Sequence, residues 1–174
     1  MFHKQLFIRI AAVAGVWASL MFAQTPAPAV AQAPAKLVVS GDVAKPITLG
    51  AEDLAAMPRE KVSIPDQDGT QVEYEGVTLR EILQRAGTPL GNQLRGKALT
   101  TYVLAKAHDG YQVVFALGEI DASFGNGKIL VVDKRDGKAL FGYQGPLRLV
   151  CPDDKAGARS VRMLETLEVV QLQK

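Results

Sequence analysis

The sequence predicts an α+β fold, a single domain of mixed, mainly antiparallel strands with a few short helices. Three observations lead there. From residue 36 onward, short segments rich in Val, Leu, Ile and Tyr alternate with Gly, Pro and Asp, the pattern of strands joined by tight turns. Helical signals are confined to brief stretches, and no repeat, heptad or domain-sized linker interrupts the chain after residue 36. The 174 residues, 48% hydrophobic and 22% charged, suit one globular domain and exclude a disordered, collagen-like or disulfide-scaffolded chain.

Residues 1–31 read as a signal peptide. Lys4 and Arg9 precede an apolar run from Ile10 to Ala23, no acid occurs before Asp42, and Ala29-Val30-Ala31 offers a small-x-small cleavage site. As a helix that run falls short of the roughly 30 Å hydrocarbon core, so no stable membrane span is expected after cleavage. The alternative is an uncleaved anchor over 1–23, which Lys4 and Arg9 would interrupt. A leader implies a periplasmic or secreted protein. Residues 32–35 form an Ala/Pro-rich linker that cannot bury a core, and the domain proper is 36–174. Cleavage removes two of the 20 cations and none of the 18 acids, leaving a formally neutral protein. General nucleic-acid binding therefore loses its electrostatic support, and no nucleic acid is expected as a partner.

Strands are predicted over 36–43, 61–64, 70–74, 99–106, 111–117, 129–133, 138–141, 147–151 and 165–172. The connectors 65–69 and 133–137 end in Gly, where a left-handed turn position is needed, and read as hairpins. A short helix over 50–57 starts with acids and is halted by Pro58. A second, over 78–85, has a capping box in Thr78 and Glu81, a hydrophobic staple in Val77 and Ile82, and Gly87 for its C′ position. Leu79, Ile82, Leu83 and Ala86 share one face of it, which must bury against the sheet. A third helix over 117–123 is weakly signalled.

Elimination narrows the chemistry. After the leader only His108 and Cys151 remain of their kinds, so multi-ligand His/Cys zinc sites cannot form within one copy. No H-E-x-x-H, C-x-x-C, G-x-S-x-G or G-x-x-x-x-G-K-[ST] occurs, and no metal site is expected. Cys151 cannot form an intramolecular disulfide. Its place in Leu147-Arg148-Leu149-Val150-Cys151-Pro152 puts it on the face of Leu147 and Leu149, which favours a buried core thiol over a reactive one. Two clusters survive. Ala107-His108-Asp109-Gly110-Tyr111 is either a plain hairpin turn or a polar corner of a site. Between Gly142 and Met163, Arg148, Lys155, Arg159 and Arg162 gather with Ser160 and Gly157. This is either a solvated loop partly neutralised by Asp153 and Asp154 or a cradle for a phosphate-sized anion.

The ordered set of motifs resembles the molybdopterin-binding domain of the sulfite oxidase family. Gly145-Pro146-Leu147-Arg148-Leu149-Val150 and Pro152, followed by Gly157-Ala158-Arg159-Ser160-Val161-Arg162, are similar to its closing basic strand and Gly-x-Arg-Ser-Val-Lys turn, with Arg162 in place of Lys. Upstream, Leu37–Val43 with Pro46, Gly76-Val77-Thr78-Leu79 and Asp109-Gly110-Tyr111 are similar to its opening strand, Gly-Val-x-Leu helix entry and Asp-Gly-Tyr turn. The likeness runs from about residue 36 to 172. It implies molybdopterin as the cofactor, with His108, Asp109, Tyr111, Arg148, Arg159, Ser160 and Arg162 as the residues that would bind it.

One departure bears on activity. Redox-active members of that family anchor molybdenum through a cysteine between the first helix and the Gly-Val-x-Leu helix. This chain has Lys61-Val62-Ser63-Ile64-Pro65-Asp66-Gln67-Asp68-Gly69 there. The expectation is an exported protein of this type that binds a phosphate-bearing pterin or similar small anionic ligand without independent redox turnover. The alternatives are a small molybdenum cofactor-dependent oxidoreductase and an accessory subunit that works with a redox partner protein.

Overall fold

In the computed structural model the described residues are 34–66, 68–125 and 128–173, within a compact unit formed by Ala31–Lys174. The predicted signal peptide, 1–31, and the first half of the linker lie outside the described residues. No helix among the described residues is long and apolar enough to cross a membrane.

Among the described residues, ten strands form two five-stranded sheets. In the first, β2 (Ile47–Gly50), β1 (Lys36–Gly41), β10 (Leu164–Gln171), β5 (Thr101–Ala107) and β6 (Gln112–Ala116) lie side by side in that order. β1 and β10 pair in parallel, joining the two ends of the domain, and the other pairings of this sheet are antiparallel. In the second, β3 (Glu60–Pro65), β4 (Gln71–Thr78), β7 (Leu130–Arg135) and β8 (Lys138–Ala139) are all antiparallel. β9 (Arg148–Val150) also pairs with β7.

The predicted α+β class with mainly antiparallel strands is what the chain adopts, and the differences are local. The strand over 47–50 has no sequence signal, because four residues with one inward Leu49 give no alternation to read. The predicted strand over 99–106 begins later, because Gly96–Thr100 is a 3-10 turn. The helices shorten to α1 (Ala51–Ala55), α2 (Leu79–Arg85) and a single turn, α3 (Leu117–Ile120).

α2 keeps most of its boundary signals. Thr78 Oγ1 accepts a hydrogen bond from the Glu81 amide at 3.2 Å. Gly87 takes φ +73°, and Thr88 N–H reaches back to the Leu83 carbonyl, closing the helix with a left-handed residue. Glu81, however, takes Arg85 as its partner along the helix face.

Leu79, Ile82, Leu83 and Ala86 bury completely in the main core, together with the inward rows of the first sheet, Leu37 and Val39, Val103 and Ala105, Leu167 and Val169. Alternation along the second sheet divides its faces. Val77, Val131 and Leu149 join the main core, whereas Val72, Tyr74, Leu130, Val132 and Val150 form a smaller core on the other side. Arg148, between Leu147 and Leu149, shares the face of Val150 and so opens away from the main core. That parity positions the cleft.

Candidate functional site

The cleft lies over this outer face, with a volume of about 540 Å³, within the range of small-molecule pockets. Its floor is Tyr74 and Val72 of β4 and Arg148 of β9, one side is Ile64, Pro65 and Asp66 at the end of β3, and the other is the loop that follows β9. That loop brings in Lys155, Ser160 and Arg162.

Arg148 is the central feature. Its side chain is 9% exposed, with Nη1 donating to Tyr74 Oη at 2.8 Å and to Gln144 Oε1 at 2.7 Å, and with the guanidinium carbon 5.2 Å from the Tyr74 ring centre. Both hydrogen-bond partners are neutral. Its Nε is buried and has no partner. Burial pushes its pKa down; the nearby charges of Arg162 and Arg135 push the same way, while Tyr74 and Asp66 oppose them.

Among the described residues, four cations line the cleft against two carboxylates, and each carboxylate is engaged by an arginine. Arg135 Nη2 holds Asp66 at 2.6 Å, and Arg159, from outside the cleft, holds Asp154 at 2.9 Å. Among the described residues, Arg148, Lys155 and Arg162 have no carboxylate within ion-pair distance. Arg162 instead lies over the exposed Tyr143 ring, 5.2 Å from its centre. Ser160 Oγ accepts the Cys151 amide at 3.3 Å, leaving its own O–H as a donor. The arrangement is a cation-rich, hydroxyl-bearing hollow suited to an oxyanion.

The seven residues singled out in the sequence fall in four places. Arg148, Ser160 and Arg162 converge on the cleft. Asp109 and Tyr111 line a neighbouring hollow of about 240 Å³, which shares Gly157, Ser160 and Arg162 with the cleft. Tyr111 Oη donates to the Ala158 carbonyl at 2.7 Å, and Asp109 accepts the Tyr111 amide at 3.0 Å. Arg159 lines neither. Its Nη1 and Nη2 each reach Glu119 Oε2 at 2.9 Å, and its Nε reaches Asp154. His108 is exposed and paired with Glu165 at 2.7 Å, away from both hollows. Lys155, named in the sequence as part of the basic cluster, also lines the cleft, as do Tyr74, Gln144 and Arg135, which the sequence does not single out. Tyr74 and Arg135 lie far from Arg148 in the chain and meet it only through the β4–β7–β9 register.

Cys151 lies in the cleft wall as a buried thiol, 7% exposed, its Sγ 3.8 Å from the Arg159 carbonyl. Burial, and then the Asp154 charge, raise its pKa to about 12 from the ordinary 9.0, against the opposing pull of Arg159. Because the folded pKa is the higher one, the folded state keeps its proton where the unfolded chain has lost it. The associated stability is complete below pH 9 and is lost as pH rises toward about 12. Urea unfolding across that window is expected to show a slope of up to about 1.4 kcal/mol per pH unit that Cys151→Ala removes. An unchanged slope in the variant would show that the thiol ionises as readily folded as unfolded.

Comparisons with known proteins come from three directions. A search of curated proteins finds no match to this sequence. Among solved structures, the sulfane dehydrogenase SoxCD from Paracoccus pantotrophus superposes with a TM-score of 0.60 at 21% identity. The match covers 77% of this chain and 37% of that one, so this chain spans little more than a third of its length and the likeness is one of fold. The family profile described as oxidoreductase molybdopterin binding domain matches residues 24–174, which takes in every strand and helix described above. With that match over nearly the whole sequence, the chain belongs to the oxidoreductase molybdopterin-binding domain family.

Proposed function

We propose that this chain is an exported member of its family that holds a phosphate-bearing pterin or similar small anion in the cleft, without independent redox turnover. The observation that carries the reading is Arg148. A buried guanidinium with only neutral partners, an orphaned Nε and two further cations beside it is costly unless an anion completes the set.

The residues present fit the organic part of molybdopterin better than its metal. Arg148, Arg162, Lys155 and the Ser160 hydroxyl would hold a phosphate. Bound molybdopterin supplies the dithiolene sulfurs that carry molybdenum. The protein would need to add a thiolate, and the β3 end that lines the cleft offers Ile64, Pro65 and Asp66 instead. Cys151 does not fill that role as a protonated, buried thiol. Export is supported by the leader-like composition of 1–31.

The test is to purify the full chain from its native compartment, assay it for pterin fluorescence and molybdenum, and titrate the ligand-free protein with inorganic phosphate. Pterin fluorescence, or salt-sensitive phosphate binding lost in an Arg148 and Arg162 double variant, supports the reading. Absence of both overturns it. Substrate-dependent electron transfer after loading with the complete cofactor would overturn the claim about turnover, and a stoichiometric redox protein that co-purifies and restores turnover would place the chain as an accessory subunit.

A further inference from the structure

The loop after β9 forms one whole wall of the cleft, yet its middle is exposed and includes Lys155, Ala156 and Gly157. Something must hold that wall in place. Its base is tied by Leu149 N–H to the Val161 carbonyl and by the Cys151 amide to Ser160 Oγ. The outer side is tied by Arg159, whose three guanidinium nitrogens are all directed at carboxylates. Nη1 and Nη2 go to Glu119 Oε2 and Nε goes to Asp154 Oδ2, each at 2.9 Å. The guanidinium also sits over Phe115, 4.8 Å from the ring centre, and Phe115 is a fully buried core residue. Glu119 is itself fixed before it meets Arg159, because its Oε1 accepts the Ala116 amide at 2.7 Å where β6 turns into α3. The other end of β6 supplies a second tie, Tyr111 Oη to the Ala158 carbonyl.

We infer that Glu119 is a positioning residue for the cleft: through Arg159 it clamps the 152–162 loop in the shape that presents Lys155, Ser160 and Arg162 to the anion. Arg159 is therefore a strut and not an anion contact, although its place in the motif suggests the opposite. An isolated, partly exposed ion pair contributes little to global stability. Here the carboxylate is oriented by the backbone and the guanidinium rests on the core, so the pair acts locally and governs how often the loop opens. The inference about affinity rests on the proposed function; the inference about the loop does not.

The experiment uses the full chain with Glu119→Gln, Arg159→Gln and the double variant. Limited trypsin digestion, read by mass spectrometry at the Lys155–Ala156 bond, is expected to speed up about threefold to tenfold in Glu119→Gln with little change in thermal midpoint. Inorganic phosphate affinity is expected to fall by a similar, modest factor in each single variant, and the double variant is expected to be no weaker than either. Unchanged cleavage at Lys155 in Glu119→Gln overturns the clamp. So does an Arg159→Gln affinity loss far larger than that of Glu119→Gln, which would make Arg159 a direct contact. Wild-type protein that binds no phosphate counts against the proposed function, while the Lys155 cleavage rate still decides the clamp.

Discussion

Arg148→Met is expected to weaken phosphate binding about tenfold to a hundredfold while leaving the protein as stable as before, or more so. The two effects have one cause. Arg148 is 9% exposed, bonded only to the neutral Tyr74 and Gln144, and its pKa is held down by burial and by two neighbouring arginines. A charge removed from water without an opposite partner is a cost to the folded state, and replacing it with an apolar side chain of similar length relieves that cost, by about 1 kcal/mol or more where repacking is good. Loss of the Tyr74 and Gln144 hydrogen bonds works against that gain, so near-neutrality is the lower expectation. For a bound anion the balance reverses, because each charge-assisted hydrogen bond contributes on the order of 1.5 to 3 kcal/mol. Titration calorimetry with phosphate and urea unfolding of the same preparations measure both quantities. A variant that loses more than about 2 kcal/mol of stability yet keeps its affinity would mean that Arg148 is a structural residue. Arg148→Lys makes a sharper comparison. It keeps the charge but not the planar fork, so its affinity should fall between parent and Met variant.

The contrast between Arg148 and Arg159 shows how far sequence reading reaches into this site. Both are arginines in one basic segment, eleven positions apart, and the resemblance assigns them the same job. What separates them is parity and distant partners. Arg148 faces the cleft because it occupies an outward position of a three-residue strand, between two leucines that enter the core. Arg159 is drawn to the other side of its loop by Glu119, forty residues earlier. Local pattern exposes the first of these facts: Leu147-Arg148-Leu149-Val150-Cys151 alternates, and the predicted placement of Cys151 with the two leucines is the one observed. No local pattern exposes the second, since Glu119 lies in a one-turn helix whose capping role is itself weakly signalled.

Elements that carry their own chemistry were legible for the same reason. Thr78 and Gly87 bracket α2, and Asp136 and Gly137 take φ +49° and +74° in the β7–β8 turn, as the connector 133–137 requires. The strand over 47–50 pairs with its neighbour β1 and is too short to show alternation, whereas the cleft floor at Tyr74 depends on pairing with the remote β7. A single sequence has no means of displaying that dependence.

Gly76→Ala is expected to cost about 3–5 kcal/mol. Gly76 belongs to the motif that opens α2, where the usual reason for glycine would be a left-handed backbone, but it is not among the residues with positive φ. The reason is close approach. A Cβ there would stand 2.1 Å from the Val131 carbonyl oxygen and 2.5 Å from Val132 Cα, backbone atoms that no rotamer change can move. The crowding comes from a bulge: Glu75 pairs with Lys134 but Gly76 pairs with Val132, so Asp133 is left over. Its freed carboxylate is taken by Arg59, which also holds Glu75 and so ties the bulge from outside. Shifting β7 to admit a methyl would disturb the Val132–Arg148 pairing and the position of Tyr74, so phosphate affinity should fall with stability. Gly118→Ala is the control, because nothing lies within 4 Å of its Cβ position and its φ is ordinary. That change should be neutral or stabilising by up to about 1 kcal/mol. If urea unfolding shows Gly76→Ala losing no more than about 1 kcal/mol, β4 and β7 are not held at this distance, and the register that brings Tyr74 beneath Arg148 must be drawn differently.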